Sequence, residues 1–391
     1  MKEIIRQAVE TNAPEVKSVC SGIYAHPETA NHEVEACKLL VKLLKEKGFA
    51  VEENYTGQPT AFRATKKNGQ GPRIAIPVEY DALPGIGHAC GHHLIAAMSV
   101  LAGISLAEAL GKYCGEVTLF GTPAEETGEG KPPMVEQGAF DDYDAAMMLH
   151  PASFTCVEPR ITSIGVYDIT FYGKTAHCGA APHDGINALD AVVSLYNSVS
   201  MMRQQMKDGT RIAAIVIEGG TMTNSVPDKC VIRYEIRTLD MDYYEHVRSR
   251  LEKCAQAAAI ATGCTVDFRL SMPVCASMTA SKSLAEAYQK ILDETGKTDV
   301  RRESDPFATD MGEISLVVPS LHPLVKVSQA EEKLHTEEFL KATNLPYAWE
   351  QAKEYAYTMA LLGLQIFEDE QLLAALRSER EILIKKRRPI G

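Results

Sequence analysis

Residues 79 to 93 read Glu79-Tyr80-Asp81-Ala82-Leu83-Pro84-Gly85-Ile86-Gly87-His88-Ala89-Cys90-Gly91-His92-His93. An apolar run, Arg73 to Val78, leads into this stretch, and another, Leu94 to Ala107, leads out of it. Acids, three histidines and a thiol thus share a glycine-broken loop between a predicted strand and a predicted helix. Few structural needs explain that mixture. A metal site does, because thiolate and imidazole are good ligands for zinc and its neighbours. Gly91 lets the backbone bend so that Cys90 and His92 can reach one point. Taken alone the triplet also admits a plainer reading, a buried thiol beside a helix-capping histidine.

Upstream, residues 2 to 48 read as two helices split at Ala25-His26-Pro27-Glu28 and the Asn31 to Glu33 turn. Short strands follow near Phe62 to Thr65 and at Arg73 to Val78. Downstream, a helix runs from about Leu94 to Leu110, and a strand at Glu116 to Phe120 ends in Pro123-Ala124-Glu125-Glu126. A further apolar strand, Ala145 to Leu149, ends in His150-Pro151. Strand and helix in alternation favour an α/β fold with a mixed, largely parallel sheet. Ligands of such sheets bind outside the carboxyl ends of the strands. The three chemically loaded segments each follow a predicted strand, so they are expected on one rim. Paired acids there are unusual, since an isolated buried carboxylate is costly unless paired or bound to a metal. The alternative for Glu125-Glu126 is a solvated loop or an acidic first helical turn.

From Ser163 to Leu270 the pattern changes. A strand at Tyr167 to Phe171, a helix through Ile186, Leu189, Val193 and Tyr196, and strands at Ile212 to Ile217 and Val231 to Arg237 follow one another. The last of these sets Ile232, Tyr234 and Ile236 on one face and Arg233, Glu235 and Arg237 on the other. Asp240 is placed to cap a helix that Gly263 closes, and Val266 to Leu270 adds a strand. This is the ferredoxin-like order βαββαβ. The predicted organisation is a catalytic domain from residues 1–162 and 273–391, with a lid or dimerisation domain, 163–272, inserted into it. In the second part a strand is expected at Ile314 to Val318, a helix from Glu337, and two long helices at Tyr347 to Phe367 and Gln371 to Lys386. The run Lys385-Lys386-Arg387-Arg388 reads as a basic helix end.

A length of 391 residues favours two domains over one core. The net charge of −12 argues against nucleic acid or an anionic membrane as the main partner. Leu94 to Ala107 is short for a membrane span and reads as a buried helix. Met1 to Glu15 is an acid-bearing amphipathic pattern rather than a signal peptide. Ten cysteines without a CxxC pair do not form a secreted disulfide framework, so a reducing cytoplasm is expected.

The landmarks His26-Pro27-Glu28, Asp81-Ala82-Leu83-Pro84, His88-Ala89-Cys90-Gly91-His92, Pro123-Ala124-Glu125-Glu126, Gly173-Lys174-Thr175-Ala176-His177, Asn224-Ser225-Val226-Pro227-Asp228 and His335-Thr336 occur in this order. With them the chain resembles the metal-dependent aminoacylase and carboxypeptidase family. The wording of residues 79–92 is closest to the branch with p-aminobenzoyl-glutamate hydrolase and dipeptidase-like proteins. The resemblance implies two divalent metal ions held by Cys90, His92, Glu126, His150 and His335. It implies Glu125 as the general base acting on a metal-activated water, and Asp81 as the carboxylate that orients a ligand. It implies that His177 reaches a partner's active site to steady an oxyanion. Asn224 and Arg237 would hold the substrate carboxylate, although Arg237 could instead pair with Glu235 or face solvent. His93 departs from the Asp or Asn usual in relatives. A thiolate ligand leans toward zinc, with manganese, cobalt and nickel open. His88 reads as support for the loop, and His26, His32, His183, His246 and His322 as surface or structural residues.

The expected protein is a cytoplasmic hydrolase, a homodimer or larger homo-oligomer through the inserted domain. It would cleave an amide bond next to an amino acid with a free carboxylate. A dipeptidase or aminopeptidase-like activity is the alternative within the enzymes, and a catalytically silent binding protein the alternative outside them.

Overall fold

The computed structural model describes residues 1–386. The chain forms two compact units, one from Met1–Arg160 and Thr279–Gly391, the other from Ile161–Met278. The expected basic end at Lys385 to Arg388 falls partly outside the described residues.

The first unit is built on a six-stranded sheet in the order Ala50–Glu53, Phe62–Asn68, Gly115–Gly121, Arg73–Val78, Ala145–Met147, Ser320–Leu321. The two pairings at the first edge are antiparallel and the other three are parallel. Arg73–Val78 lies inside the sheet, and its apolar run is buried from Ile74 onward. From its end the chain passes through the 79–91 loop into the helix His92–Ala107, every residue of which is buried. Such a helix has no solvent face. It packs between Lys2–Ala25 and Pro346–Glu368 and against the sheet. By composition His92–Gly111 is long and apolar enough to cross a membrane, but 89% of that window is buried within the protein, as befits a core helix.

Parallel pairing sets Val78 level with Gly121, so the loops after both strands leave the sheet at the same rim. The Ala145–Met147 strand is parallel to Arg73–Val78 and delivers His150 to that side. One expectation fails here. Ile314 to Val318 is not a strand: Met311–Ser315 is a short helix, and the strand is Ser320–Leu321. A short apolar run does not distinguish the two, and the buried side chains Ile314, Val317 and Val318 follow the i, i+3, i+4 spacing of a helical turn, with Leu316 turned outward. The strand Ala50–Glu53, mostly exposed, was not anticipated.

Gly91 caps the central helix at φ 88°, in the left-handed region. A Cβ there would stand 2.6 Å from Pro151 Cγ and 3.5 Å from Phe339 Cε1. Gly91→Ala is therefore expected to destabilise the fold by more than the ~1–2 kcal/mol of a left-handed L-residue. Denaturant unfolding measures this, and an unchanged midpoint would show that the loop relaxes freely.

The second unit is a four-stranded antiparallel sheet, ordered Thr265–Cys275, Ile164–Tyr172, Lys229–Arg237, Arg211–Glu218. With the helices Ala188–Met202 and Met241–Thr262 it gives the order βαββαβ. Its core joins Ile169, Phe171, Ile232, Tyr234 and Ile236 of the strands to Leu195, Val199, Val247 and Leu251 of the helices. The Asp240 side chain accepts from the Asp242 and Tyr243 N–H groups, and Gly263 closes that helix at φ 79°. On the polar sheet face Asp168 and Arg233, opposite each other in register, form a bidentate pair at 2.6 and 2.8 Å.

Candidate metal centre

The rim of the first unit collects Cys90, His92, Glu125, Glu126, His150 and His335, with Asp81 beneath them. Cys90 Sγ lies 3.5 Å from His150 Nε2 and 3.3 Å from His335 Nε2. Ligand atoms around one tetrahedral zinc-class ion are separated by about 3.4–3.7 Å. The donor atoms fall into three groups: Cys90–His92–His150 and Cys90–Glu126–His335 share the thiol, and Glu79–His92–Glu125 shares the His92 imidazole, with the atoms of each within 4.8 Å of one another. One sulfur between two donor groups is the arrangement of a bridged pair of cation positions.

Tautomers follow from the backbone. His92 Nδ1 lies 3.0 Å from both Asp81 Oδ1 and the Asp81 carbonyl, so it carries a proton and Nε2 is the nitrogen turned to the site. Against the cost of burial, Cys90 and Asp81 hold the ring's affinity for a second proton well above the ordinary imidazole value, a proton that a bound cation would displace. His150 Nδ1 donates to the Pro151 carbonyl at 2.8 Å, which frees its Nε2. Asp81 Oδ2 accepts the Glu126 N–H at 3.0 Å, so one carboxylate fixes an imidazole and the loop of the paired acids. Burial would raise the Asp81 carboxyl, but His92, the Glu126 N–H and Lys131 outweigh it and hold it below the usual carboxylate value. Burial pushes His150 well below the ordinary imidazole value, leaving it neutral.

The donor set fits a pair of divalent ions. His92 Nε2 and Glu126 Oε1 are buried and make no hydrogen bond within the described residues. Polar atoms so placed are costly unless something takes their lone pairs. Glu126 Oε1 stands 3.8 Å from both His92 Nε2 and His335 Nε2.

Glu125 belongs to neither thiol-centred group. Its Oε2 lies 3.8 Å from His92 Nε2. Burial, then Glu79 and Asp310, pushes its carboxyl well above the usual range. The loop that carries it is strained: Ala124 has φ 57°, and His335 across the site has φ 63°. The buried Glu33 secures Ala124 by accepting its N–H at 2.9 Å while its other oxygen takes the Thr60 hydroxyl at 3.0 Å.

His177, Asn224 and Arg237 lie in the second unit. His177 is exposed, and its Nδ1 accepts the Gly179 and Ala180 N–H groups, both at 3.1 Å, so its proton sits on Nε2. Asn224 is exposed. Arg237 Nε donates to Glu235 at 2.7 Å.

Sequence reasoning missed Glu79, Lys131, Asp310 and the burial of His322. Of the surface and structural readings of His322, the structure selects the second: it is 1% exposed, and its ring lies 5.7 Å from that of His150. A signal existed: Leu149-His150-Pro151 and Leu321-His322-Pro323 are the same triplet. They leave the neighbouring parallel strands Ala145–Met147 and Ser320–Leu321. His88 is buried and bonded to the Ile23 carbonyl at 3.1 Å, and His93 is buried with its ring 4.9 Å from Tyr24.

Fold and donor set together define a metal-dependent hydrolase built from a parallel-sheet unit and a βαββαβ unit. The peptidase dimerisation domain family matches residues 162–263. The chain is 33% identical over 399 residues to the Xaa-Arg dipeptidase of Mus musculus, covering 97% of this chain and 92% of that protein. It is 32% identical over 332 residues to one of the subunits of p-aminobenzoyl-glutamate hydrolase from Escherichia coli strain K12, covering 79% of this chain and 69% of that one. A solved structure from Bacillus subtilis, described as a dinuclear metal-binding peptidase of the M20 family, superposes with a TM-score of 0.73 at 20% identity, over 92% of this chain and 99% of that one. The chain belongs to the M20 family of metal-dependent peptidases and amidohydrolases.

Proposed function

We propose that the chain cleaves the amide bond to a C-terminal amino acid with a free carboxylate, and that dipeptides rank first among its substrates. The sharing of Cys90 by two donor groups, with Glu125 beside them, carries the reading. Cys90, His92 and His150 would hold one ion and Cys90, Glu126 and His335 the other. When bound, the ions would polarise the scissile carbonyl and acidify a water near neutral pH. Glu125 accepts that water's proton and returns it to the leaving nitrogen. Asp81 keeps His92 in the tautomer that binds through Nε2. A thiolate ligand favours zinc, with manganese next.

His177, its proton on Nε2, is suited to donate to the developing oxyanion in a partner's site. Homodimerisation through the second unit is the natural use of its edge strand Arg211–Glu218, which exposes Ile215, Val216 and Ile217. Apolar edge strands are pairing templates. Asn224 and Arg237 would receive the substrate carboxylate, Arg237 by exchanging its Glu235 partner for it. The reducing cytoplasm suggested by the cysteines remains the proposed compartment.

Similarity to the Xaa-Arg dipeptidase along nearly the whole chain supports the rank of dipeptides. The test assays dipeptides ending in arginine, p-aminobenzoyl-glutamate and N-acyl amino acids, each with zinc or manganese added. A kcat/KM at least about tenfold higher for the arginine dipeptides, ~1.4 kcal/mol of preference, is expected. Turnover of the acyl or aminobenzoyl compounds alone would reverse the ranking.

A further inference from the structure

Three buried charges lie behind His92. Lys131, the first residue of the helix Lys131–Glu136, is 0% exposed. Its Nζ donates to Glu79 Oε1 at 2.6 Å and to Asp310 Oδ1, and its backbone N–H donates to Asp310 Oδ2 at 3.1 Å. Both acids are equally buried, Glu79 at 1% and Asp310 at 0%. Lys131 thus occupies both oxygens of Asp310 but only one of Glu79. The other, Glu79 Oε2, makes no hydrogen bond within the described residues. It lies 3.6 Å from His92 Nε2, which also lacks a partner.

Two carboxylates on one ammonium leave a surplus of one negative charge, and the unpaired oxygen places it next to His92. A buried ion cluster is a poor device for stability alone, since apolar residues of similar volume often serve as well or better. Here it is useful for position. Lys131, itself bonded to both oxygens of Asp310, holds Glu79 Oε1 at 2.6 Å, which leaves Oε2 on the His92 side. Two donors each about 2.1 Å from one ion lie about 3–4 Å apart, and the separation of Glu79 Oε2 from His92 Nε2 falls within that range.

We propose that Glu79 is a further oxygen donor to the ion at His92 Nε2, and that Lys131, clamped by Asp310, is the positioning residue that aims it. The proposal rests on the metal-centre reading above. It makes the two cation positions unequal. The position at His92 gains a hard oxygen, which suits manganese better than the thiol and imidazoles alone would. The Cys90–Glu126–His335 position gains nothing.

The test measures metal affinity rather than turnover, by titrating the metal-stripped full chain with manganese and with zinc against a chromogenic chelator. Glu79→Gln keeps an amide oxygen for Lys131 and removes the charge facing His92. It is expected to weaken one ion at least tenfold and leave the other within twofold, with an unchanged melting temperature. The double variant Lys131→Met/Asp310→Asn keeps the cluster's net charge at one carboxylate but releases Glu79, and should weaken the same ion. Unchanged affinity for both ions in folded Glu79→Gln overturns the proposal, as does equal weakening of both. If Glu79→Gln does not fold, unchanged affinities in the double variant overturn it instead. A wild-type chain that takes up no ion would refute the metal-centre reading itself, a distinct result.

Discussion

Glu125→Gln should keep the fold and both ions while losing about a hundred- to ten-thousand-fold in turnover, the usual worth of a positioned general base. The geometry separates the two properties. Glu125 stands outside both thiol-centred donor groups, and although it shares a third group with Glu79 and His92, its loss leaves Cys90, His92 and His150 at one position and Cys90, Glu126 and His335 at the other. Its carboxylate is 3.8 Å from His92 Nε2 and on the same rim. Gln has the same shape but an amide that takes no proton, so substrate contacts survive and proton transfer does not. The loop conformation should survive too, because its anchor is the Ala124 N–H on Glu33 rather than the Glu125 side chain. The measurement is kcat beside metal content. Full activity in a metal-replete variant would remove Glu125 from the mechanism. Loss of an ion would make it a ligand instead of a base.

Much of the rim was legible because parallel strands convert sequence order into position. Loops after apolar strands at 73–78 and 115–121 must leave on one side once those strands pair in parallel, and the level pairing of Val78 with Gly121 shows how closely they do. Cys90 and His92 were readable only with Glu125, Glu126 and His150, which follow apolar strands onto the same rim, because the triplet alone fits a buried thiol beside a helix-capping histidine equally well. What stayed hidden was the layer behind them. Lys131 and Asp310 are 179 residues apart, and neither residue type nor spacing marks them as partners. A buried lysine looks like any surface lysine until the sheet closes over it. His322 was readable in principle, through the repeated Leu-His-Pro triplet, but the repeat gains meaning only when the strands bearing it are known to be neighbours. Arg237 shows the opposite limit. Alternation placed it on the polar face, yet alternation does not choose between a ligand and Glu235 two residues away, and in the structure Glu235 holds it.

Cys90→Ala is expected to affect both ions at once, which no other single ligand change should do. Cys90 Sγ is 3.5 Å from His150 Nε2 in one donor group and 3.3 Å from His335 Nε2 in the other. Removing it takes a donor from each position. Changes to residues that only support ligands typically cost 10–100-fold in affinity, so loss of a shared ligand should exceed about a hundredfold at both positions. His335→Ala is the contrast, because it strips only the Cys90–Glu126–His335 group and should leave the other ion bound. Stability is a weak confounder. Cys90 is buried and small, and alanine keeps its β-carbon while giving up one sulfur, a loss of about 1 kcal/mol in a core of this kind. Metal content after dialysis, with unfolding measured in parallel, reads both effects. Full occupancy in folded Cys90→Ala would mean that two complete donor sets exist without the thiol, and the bridged arrangement would have to be abandoned. Loss of one ion alone would place the sulfur in a single position and leave the second to Glu126 and His335.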